Sequence, residues 1–513
     1  MAVLEREEKV GGILGAIERV GNRLPDPATL FLIAIIILIL LSAILSAMGV
    51  SAVHPGTGQE LAATNLLTGA NISRFLIELP RIFADFPPLA IVLLCVMGVG
   101  VAEKTGLIAV SLGSLVRAMP KSLLTLTVVF AGVQSSLATD AGYVVLIPLA
   151  GLLFHSSGRH PIAGIAAGFA GVSGGFSSNL LVTSLDPLLS GISQAAARLI
   201  DPGYEVLATS NYYLMFALVP LFTIIGALVT DKLIEPRLMR TSPVQAGKME
   251  PEADPTPEQR ANERRGLRFA GLTLLGIAAL FGAAVVPEGA MLRDANGTVE
   301  PFLRGIVAII FISFLSIGLA YGIGARVIRS DRDVVRMMSQ SMSEMGGYIV
   351  LAFCCAVFIA LFAWSNLGAI LAVNGAAFLQ AAGFTGLPLL LAIITVSAFI
   401  NVLIGSASAK WAILGPVMVP MLMLLGVTPE ATQAAYRIGD SFTNPITPLL
   451  PYFPLILIMC KRYVPDFGIG SLIATMLPLA VWMGMGALLL FSGWYLLDLP
   501  LGPGSVIHMP VAP

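Results

Sequence analysis

Long apolar runs separated by short polar stretches dominate this chain. A helix needs about 20 mostly apolar residues to cross a bilayer, and nine segments fit that description, two of them interrupted by polar residues. They are residues 28–50, 87–103, 161–200 (interrupted), 211–230, 268–286, 302–328, 347–366, 430–460 (interrupted) and 469–494. The pattern therefore predicts an all-α polytopic membrane protein.

Two further apolar stretches are too long for one crossing and too short for two. Residues 121–157 and 386–425 each carry a small polar middle, SSLATD and NVLIGSASAKW respectively. Irregular polar backbone is tolerated at membrane depth only where protein buries it or where it lines a cavity. Both stretches are therefore predicted to be re-entrant hairpins, which enter and leave by the same membrane face.

The composition excludes a soluble protein. Of the 513 residues, 57% are hydrophobic and 12% are charged, against roughly 45–50% and 25% in soluble domains. A net charge of −1 gives no indication of nucleic acid as a partner. The four cysteines and four histidines show no metal-ligand spacing, so no bound cofactor is expected beyond a coupling ion.

The distribution of Lys and Arg predicts the orientation. Residues 231–266 contain seven basic side chains, whereas the predicted outer segments 51–86, 287–301 and 495–513 contain only three. Basic residues mark cytoplasmic loops. The predicted organisation is a cytoplasmic segment 1–27, a first membrane half 28–230, a cytoplasmic linker 231–266, a second half 267–494 and a periplasmic tail 495–513.

The two halves contain an internal repeat. Residues 87–230 and 347–494 each give a spanning helix, a short amphipathic piece, a hairpin, an interrupted helix and a final helix. The interruptions fall at GGFSSN (174–179) and DSFTNP (440–445). By the predicted topology the first unit begins outside and the second inside, so the repeat is inverted. Such repeats place substrate and ion sites near the midplane, at broken helices.

Charged residues inside these segments are functional candidates, because a charge at membrane depth is costly. They are Asp140, Asp186, Lys410, Arg437 and Asp440. Oxygen-rich side chains surround both interruptions: Ser177, Ser178 and Asn179 precede Asp186, and Thr443, Asn444 and Thr447 follow Asp440. Hard cations prefer oxygen ligands.

The predicted ion-coupling residues are accordingly Asn179, Asp186, Asp440 and Asn444, with Asn179 and Asp186 as candidate Na⁺ ligands. A proton on the carboxylate is the alternative for the coupling ion. A different reading is that these side chains only cap the broken helix ends.

Three further side chains have two interpretations each. Arg437 is suited to a substrate carboxylate, but at i, i+3 it could instead neutralise Asp440. Trp411 stands among small residues, as a stacking surface would, or serves as an interfacial anchor. Lys410 is a functional candidate as a charge at membrane depth, or it only extends its ammonium group to the membrane surface.

At these residues the chain resembles the p-aminobenzoyl-glutamate transporter (AbgT) family, over almost its whole length. The motifs are GNRLPDPATLF (21–31), DAGYVVLIPLAG (140–151), GRHPIAGIAAGFAGVSGGFSSNLLVTSLDPLLSGIS (158–193), GSASAKWAILGPVMVPM (405–421) and YRIGDSFTNPITPLLPYFPL (436–455). The resemblance implies functional positions at Asp186, Asn401, Ser408, Trp411, Pro429, Arg437, Asp440 and Pro448. It also implies a homodimer in the bacterial inner membrane, with nine helices and two hairpins per subunit.

The expected function is ion-gradient-coupled transport of p-aminobenzoyl-glutamate or sulfonamide-type antimetabolites, with Na⁺ or a proton as coupling ion. An alternative is a sodium-coupled carboxylate importer of related architecture, although Trp411 favours an aromatic substrate. An intramembrane enzyme is less favoured, because no His or Cys grouping supplies catalytic chemistry. An ATP-driven pump is also less favoured, since 231–266 has no GxxxxGK[ST] motif and is too short to fold as a nucleotide-binding domain.

Overall fold

The structure is a computed structural model that describes residues 27–53, 58, 60–137, 142–241, 256–448 and 450–509. The predicted N-terminal segment up to residue 26, Asp140 and the centre of the linker lie outside the described residues. What is described consists almost entirely of helices, which confirms the predicted all-α class.

The described residues up to Thr241 contain ten α-helices and one small hairpin of strands. They are α1 (Pro27–Ala47), β1 (Ser51–Val53), β2 (Glu60–Ala62), α2 (Gly69–Ala84), α3 (Pro87–Lys104), α4 (Leu107–Ala118), α5 (Leu124–Gln134), α6 (Ile147–Ser156), α7 (Pro161–Phe169), α8 (Leu185–Ala197), α9 (Tyr212–Val229) and α10 (Glu235–Thr241). The strands pair antiparallel, with Ala52 opposite Leu61.

The second half contains eleven helices among its described residues. They are α11 (Pro257–Val285), α12 (Glu300–Arg304), α13 (Ile306–Gly324), α14 (Asp331–Glu344), α15 (Gly346–Trp364), α16 (Leu367–Ala381), α17 (Gly386–Leu403), α18 (Ala407–Met423), α19 (Pro429–Thr443), α20 (Phe453–Lys461) and α21 (Ile469–Leu496).

Seven helical segments in the described residues are long and apolar enough to cross a membrane alone. They are Pro27–Ala47, Gly69–Lys104, Tyr212–Thr241, Pro257–Val285, Ile306–Gly324, Gly346–Trp364 and Ile469–Leu496. The bent pairs α4–α5 and α16–α17 raise the number to nine among the described residues if each pair is one span. The interrupted segments α7–α8 and α19–α20 consist of shorter helices, and their crossing of the membrane stays a prediction. Two shorter apolar pairs, α5–α6 and α17–α18, occupy the positions of the predicted hairpins.

The repeat is visible in the order and angles of the elements. The helices α3 to α9 match α15 to α21 one by one. In each unit the short amphipathic helix turns sharply into the first hairpin arm, by 119° between α4 and α5 and by 114° between α16 and α17. In the predicted topology five crossings lie between the starts of the two units, so the second unit begins on the opposite side of the membrane.

Three features differ from the expectation for the loops. The segment 87–103, predicted to be short, continues a helix that begins at Gly69. The pattern of residues 69–84 mixes charges with apolar residues, so it lacks the uniform hydropathy of a span. The sequence pattern did not predict the amphipathic helix α14, because its residues also mix charged with apolar side chains. The linker predicted over 231–266 is helical at both described ends, through α10 and the start of α11.

Helix α19 lies at the centre of the protein, between two apolar clusters. Its Tyr436 packs in one cluster and its Ile438 in the other. Every residue from Pro429 to Ser441 is buried, although many of them are polar. Gly439 permits the close approach of α17: a Cβ there would lie 2.2 Å from the Ile394 carbonyl oxygen. A polar helix buried on all sides is not stabilised by its own hydrophobicity, so its polar groups need partners.

Candidate functional site

Asp186 and Arg437 form an ion pair that joins the two repeats. Asp186 lies in the first turn of α8, directly after the first break, and its Oδ1 is 2.6 Å from Nη1 of Arg437 in α19. Its Oδ2 accepts hydrogen bonds from the backbone N–H (2.6 Å) and the hydroxyl (2.9 Å) of Thr183. Arg437 Nη2 also donates to the Ser177 carbonyl at 3.2 Å, inside the first break. The arginine thus links the second broken helix to both sides of the first interruption.

Lys410 and Asp440 form a second buried pair. Lys410 lies in the first turn of α18, at the tip of the second hairpin, and its Nζ contacts Oδ1 of Asp440 and Oδ1 of Asn401. The Lys410 side chain is 0% exposed and that of Asp440 is 1% exposed. Removing one partner from a buried pair leaves an uncompensated charge, so each charge here depends on the other.

Asn401 connects this pair to the second break. Its Nδ2 donates toward the carbonyl of Asp440 (2.7 Å), the hydroxyl of Thr443 (2.8 Å) and Oδ1 of Asn444 (2.8 Å). Asn444 Nδ2 donates in turn to the carbonyl of Ser173, at the start of the first break (3.1 Å). The two breaks are therefore in direct contact, each supplying partners that the other's freed backbone groups need.

Trp411 is fully buried next to this charged cluster. Its ring stacks on Tyr436 with centroids 4.5 Å apart. Its Nε1 donates to the Ser193 hydroxyl (3.0 Å) and to the Leu189 carbonyl (3.2 Å), both on α8. The ring is thus held by both repeats. An interfacial anchor would reach the membrane surface, so that interpretation of Trp411 is wrong.

A polar chain runs from Trp411 toward the end of α19. Ser193 Oγ donates to Oε1 of Gln433 (2.6 Å), and Gln433 Nε2 donates to Oδ1 of Asn211 (3.1 Å). Asn211 Nδ2 donates to the carbonyl of Glu430 (2.9 Å). These bonds tie α8, α9 and α19 together around the tryptophan, and they fix its orientation.

Ten buried side-chain polar atoms have no hydrogen-bond partner among the described residues, and six of them belong to residues of the broken helices or the hairpins. These six are Gln134 Nε2, Ser178 Oγ, Asn179 Nδ2, Ser397 Oγ, Arg437 Nε and Asp440 Oδ2; the other four, Thr209 Oγ1, Ser210 Oγ, Thr223 Oγ1 and Thr230 Oγ1, lie on α9 or next to it. Buried polar groups are nearly always paired in folded proteins, because an unpaired group keeps its full desolvation cost. This concentration of unused donors and acceptors is what a polar ligand or ion would satisfy.

The structure brings most predicted site residues together and corrects their pairing. The alternative that Arg437 neutralises Asp440 is wrong, because their partners are Asp186 and Lys410 respectively. The idea that Lys410 extends to the membrane surface is also wrong, since its side chain is fully buried.

Asn179 lies apart from Asp186. Its Oδ1 accepts a hydrogen bond from Ser136 at the first hairpin, and Asp186 has both oxygens engaged by Arg437 and Thr183. No group of three or more His, Cys, Asp or Glu side chains in the described ranges is arranged to hold a metal. Because Arg437 and Thr183 engage the two oxygens of Asp186, a Na⁺ ion there would compete with Arg437.

The remaining predicted residues take peripheral positions. Pro429 opens α19 and is buried beside its capping residue, Thr428, whose hydroxyl accepts from the Ala431 N–H (3.2 Å). Pro448 stands in the second break. Ser408 lies at the second hairpin tip, where its hydroxyl is 3.3 Å from that of Ser406. These three shape the ends of elements that carry the charged residues.

Sequence reasoning missed the roles of Lys410, Ser193 and Gln433. Lys410 was visible as a charge in an apolar hairpin. Its two acceptors come from segments on either side of it in the chain, so its pairing is set by tertiary packing. The signal for Ser193 and Gln433 was weak, because single polar residues on a helix usually cap or face solvent.

Two broken helices and the second hairpin, which meet at buried charges, define a membrane transporter built on a duplicated unit. The chain belongs to the AbgT transporter family, whose profile matches residues 12–509. This membership confirms the predicted family and the expectation of a transporter rather than an enzyme.

Several characterised proteins are similar to the chain. It is 39% identical to the p-aminobenzoyl-glutamate transport protein of Escherichia coli K12, over 98% of each chain. Its fold matches the Alcanivorax borkumensis YdaH transporter with a TM-score of 0.89, at 45% identity, over 93% of this chain and 100% of the other. It matches Neisseria gonorrhoeae MtrF, described as illuminating a class of antimetabolite efflux pumps, with a TM-score of 0.88, at 41% identity, over 96% and 100%.

Proposed function

We propose that this protein is a secondary transporter of p-aminobenzoyl-glutamate and related aromatic carboxylates. The main support is the pair of buried cations, Arg437 and Lys410, which lie beside the aromatic pair of Trp411 and Tyr436. The proposed substrate carries one aromatic ring and two carboxylates. The Escherichia coli relative is named for transport of this compound.

The charge balance of the site explains how substrate binding can be coupled to the binding of ions. The site holds two cations and two carboxylates, so its net charge is zero. A dianionic substrate that pairs with Arg437 and Lys410 displaces Asp186 and Asp440 and leaves two uncompensated negative charges in a low dielectric. Unpaired buried charges cost several kcal/mol each. Uptake of two protons or two monovalent cations by the aspartates would remove that cost, which makes ion and substrate movement interdependent.

The ion pairs also define the state of the transporter in this structure. All four charged side chains are at least 90% buried, so a substrate cannot reach them without movement of a hairpin or a broken helix. In this arrangement the carboxylates of Asp186 and Asp440 occupy the positions that we propose for the substrate carboxylates. We propose that it represents an occluded state.

A flux assay tests the proposal. Purified protein is reconstituted in liposomes, and labelled p-aminobenzoyl-glutamate is followed under an imposed Na⁺ or proton gradient, in both directions. We expect accumulation against the substrate gradient with one of the two ions. Equal transport with no gradient, or competition by succinate and not by aminobenzoyl-glutamate, would contradict the proposal and favour the small-carboxylate alternative.

A second candidate substrate class is the sulfonamide-type antimetabolites. The observation that favours it is the likeness to MtrF, together with the aromatic pair of Trp411 and Tyr436, which does not require a carboxylate. Outward flux of a labelled sulfonamide from the same liposomes tests it.

We also propose that the N-terminus is cytoplasmic, the C-terminal tail is periplasmic and the protein is a homodimer. The support for the orientation is the Lys/Arg asymmetry of the loops. Contacts of Glu430 with Tyr204 (2.9 Å) and of Thr428 with Ile507 (3.0 Å) place the start of α19, the loop before α9 and the C-terminal tail on one side, as the predicted topology requires. Reporter fusions after residue 245 should report cytoplasm, and fusions at residue 290 should report periplasm. The reverse pattern would overturn the orientation, and mass measurement in detergent tests the dimer.

A further inference from the structure

A long groove separates α4 from α11 and α13, and Gln134, Leu181 and Val182 beside the first break also line it. Its wide part is apolar and has a volume of about 820 Å³. A narrower part of about 500 Å³ continues from it and contains Arg117, Arg260 and Arg264. Leu267 lines both parts, so the two form one continuous groove.

The groove changes from basic to apolar along both helices that form it. On α11 the lining runs from Arg260 and Arg264 through Leu267 to Ala278, and on α4 it runs from Arg117 back to Leu107. At a rise of about 1.5 Å per residue, Leu267 to Ala278 spans about 17 Å. That length is close to half of the roughly 30 Å hydrocarbon core of a bilayer.

The basic end of the groove carries more positive than negative charge. Arg117 and Arg264 are exposed, and neither forms an ion pair with the described part of the chain. Glu263 is the one acidic residue lining this end, against three arginines. Guanidinium groups bind phosphate in a bidentate manner. Arg260 and Arg264 lie in the first turns of α11, next to the linker, and Arg117 lies at the end of α4.

We propose that this groove binds an anionic phospholipid, with the headgroup phosphate at Arg117, Arg260 and Arg264 and an acyl chain along α11. Basic pockets between membrane helices on the cytoplasmic side have the chemistry to bind such headgroups. A free phosphate would leave the apolar part unfilled, and a neutral lipid would leave Arg117 and Arg264 without an anion. The order of basic and apolar lining along one groove matches a single amphipathic molecule.

The headgroup contacts are tested by lipid titration of the detergent-purified full chain. Phosphatidylglycerol and phosphatidylcholine with identical acyl chains are compared, with bound lipid read by native mass spectrometry. Each arginine near an anionic lipid is worth about 1 kcal/mol, so Arg117→Ala with Arg264→Ala should weaken phosphatidylglycerol binding about 30-fold, since 1.4 kcal/mol is tenfold. Phosphatidylcholine binding should not change.

The matched control is Arg240→Ala with Arg332→Ala, which removes two exposed arginines outside the groove. It should leave the preference for phosphatidylglycerol intact. An equal loss in both double variants would indicate nonspecific charge attraction and overturn the site. Competition by inorganic phosphate as strong as by the lipid would overturn the lipid assignment.

The acyl-chain contacts are tested by filling the groove. Gly271 lines the apolar part, and a Cβ built there meets no atom within 4 Å, so Gly271→Phe should fold and occupy the groove. Gly276 is equally open but does not line the groove, which makes Gly276→Phe the control. Gly271→Phe should weaken both lipids at least tenfold and the control should not. A change of oligomeric state in Gly271→Phe alone would overturn the proposal in favour of a second copy of the chain in the groove.

Discussion

At the first break, the chain between α7 and α8 supplies serine hydroxyls, an asparagine amide and free carbonyls, and its single charge, Asp186, follows the interruption. At the second break, Arg437 and Asp440 precede the interruption, and Lys410 reaches them from the neighbouring hairpin. The two repeats therefore share one backbone arrangement but differ in charge.

This difference indicates that the two repeats have different roles in binding the substrate. The second repeat carries both cations and the aromatic pair, which are the groups that would contact an aromatic dicarboxylate. The first repeat holds those groups in place through Asp186, the Ser177 carbonyl and Ser193. The duplication thus gives two broken helices, and the residues proposed to bind the substrate lie in the second repeat.

The largest expected effect is the loss of coupling when either aspartate is neutralised. Asp186→Asn or Asp440→Asn should abolish gradient-driven accumulation, because Asn cannot take up a compensating proton or cation as a carboxylate does. The measurement is liposome flux with and without the gradient, at matched membrane levels. Normal gradient dependence in both variants would reduce the aspartates to structural partners.

The next effect tests which charges depend on each other. Arg437→Ala leaves Asp186 buried without its cation and should lower the free energy of unfolding by about 3–5 kcal/mol. Adding Asp186→Asn should restore most of that loss, whereas adding Asp440→Asn should lower it further because Lys410 then loses its partner. Thermal unfolding in detergent and membrane levels measure both. Rescue by Asp440→Asn instead would mean that the pairing between the repeats is not the one described.

Much of the architecture could be predicted from the sequence, because apolar length and polar interruptions decide it. The nine crossings, both hairpins, the order of the repeat and the burial of Asp186, Arg437 and Asp440 all follow from that pattern. The pairing could not be predicted. Arg437 has a carboxylate three residues away in its own helix, yet it pairs with one in the other repeat. Such choices depend on how helices cross, which hydropathy does not encode.

The third prediction concerns the number of carboxylates that the substrate carries. Lys410→Met removes one of the two cations, and a charge-assisted bond is worth about 1.5–3 kcal/mol. In a background of Asp440→Asn, which avoids an unpaired carboxylate, Lys410→Met should weaken binding of p-aminobenzoyl-glutamate about 10- to 100-fold relative to Asp440→Asn alone. An analogue with one carboxylate, p-aminobenzoyl-glutamine, should be affected much less.

Binding titrations with both ligands distinguish the possibilities. Equal losses for the two ligands would assign Lys410 a structural role and leave Arg437 as the carboxylate-binding residue. Failure of the unmodified protein to bind either ligand would instead contradict the proposed substrate itself.

The smallest effect tests whether the first repeat acts by positioning the second. Ser193→Ala removes one of the two acceptors of the Trp411 N–H and breaks the link to Gln433, while the Leu189 carbonyl remains. A neutral hydrogen bond contributes about 0.5–1.5 kcal/mol, so affinity should fall about two- to tenfold for charged and uncharged aromatic ligands alike. Trp411→Ala should give a loss of at least that size with the same lack of charge preference.

Ser190→Ala is the control, because Ser190 is buried on the same helix and its hydroxyl bonds only to the Pro187 carbonyl among the described residues. If Ser193→Ala and Ser190→Ala behave alike, the first repeat does not orient the tryptophan, and its contribution reduces to Asp186 and the carbonyl of its break.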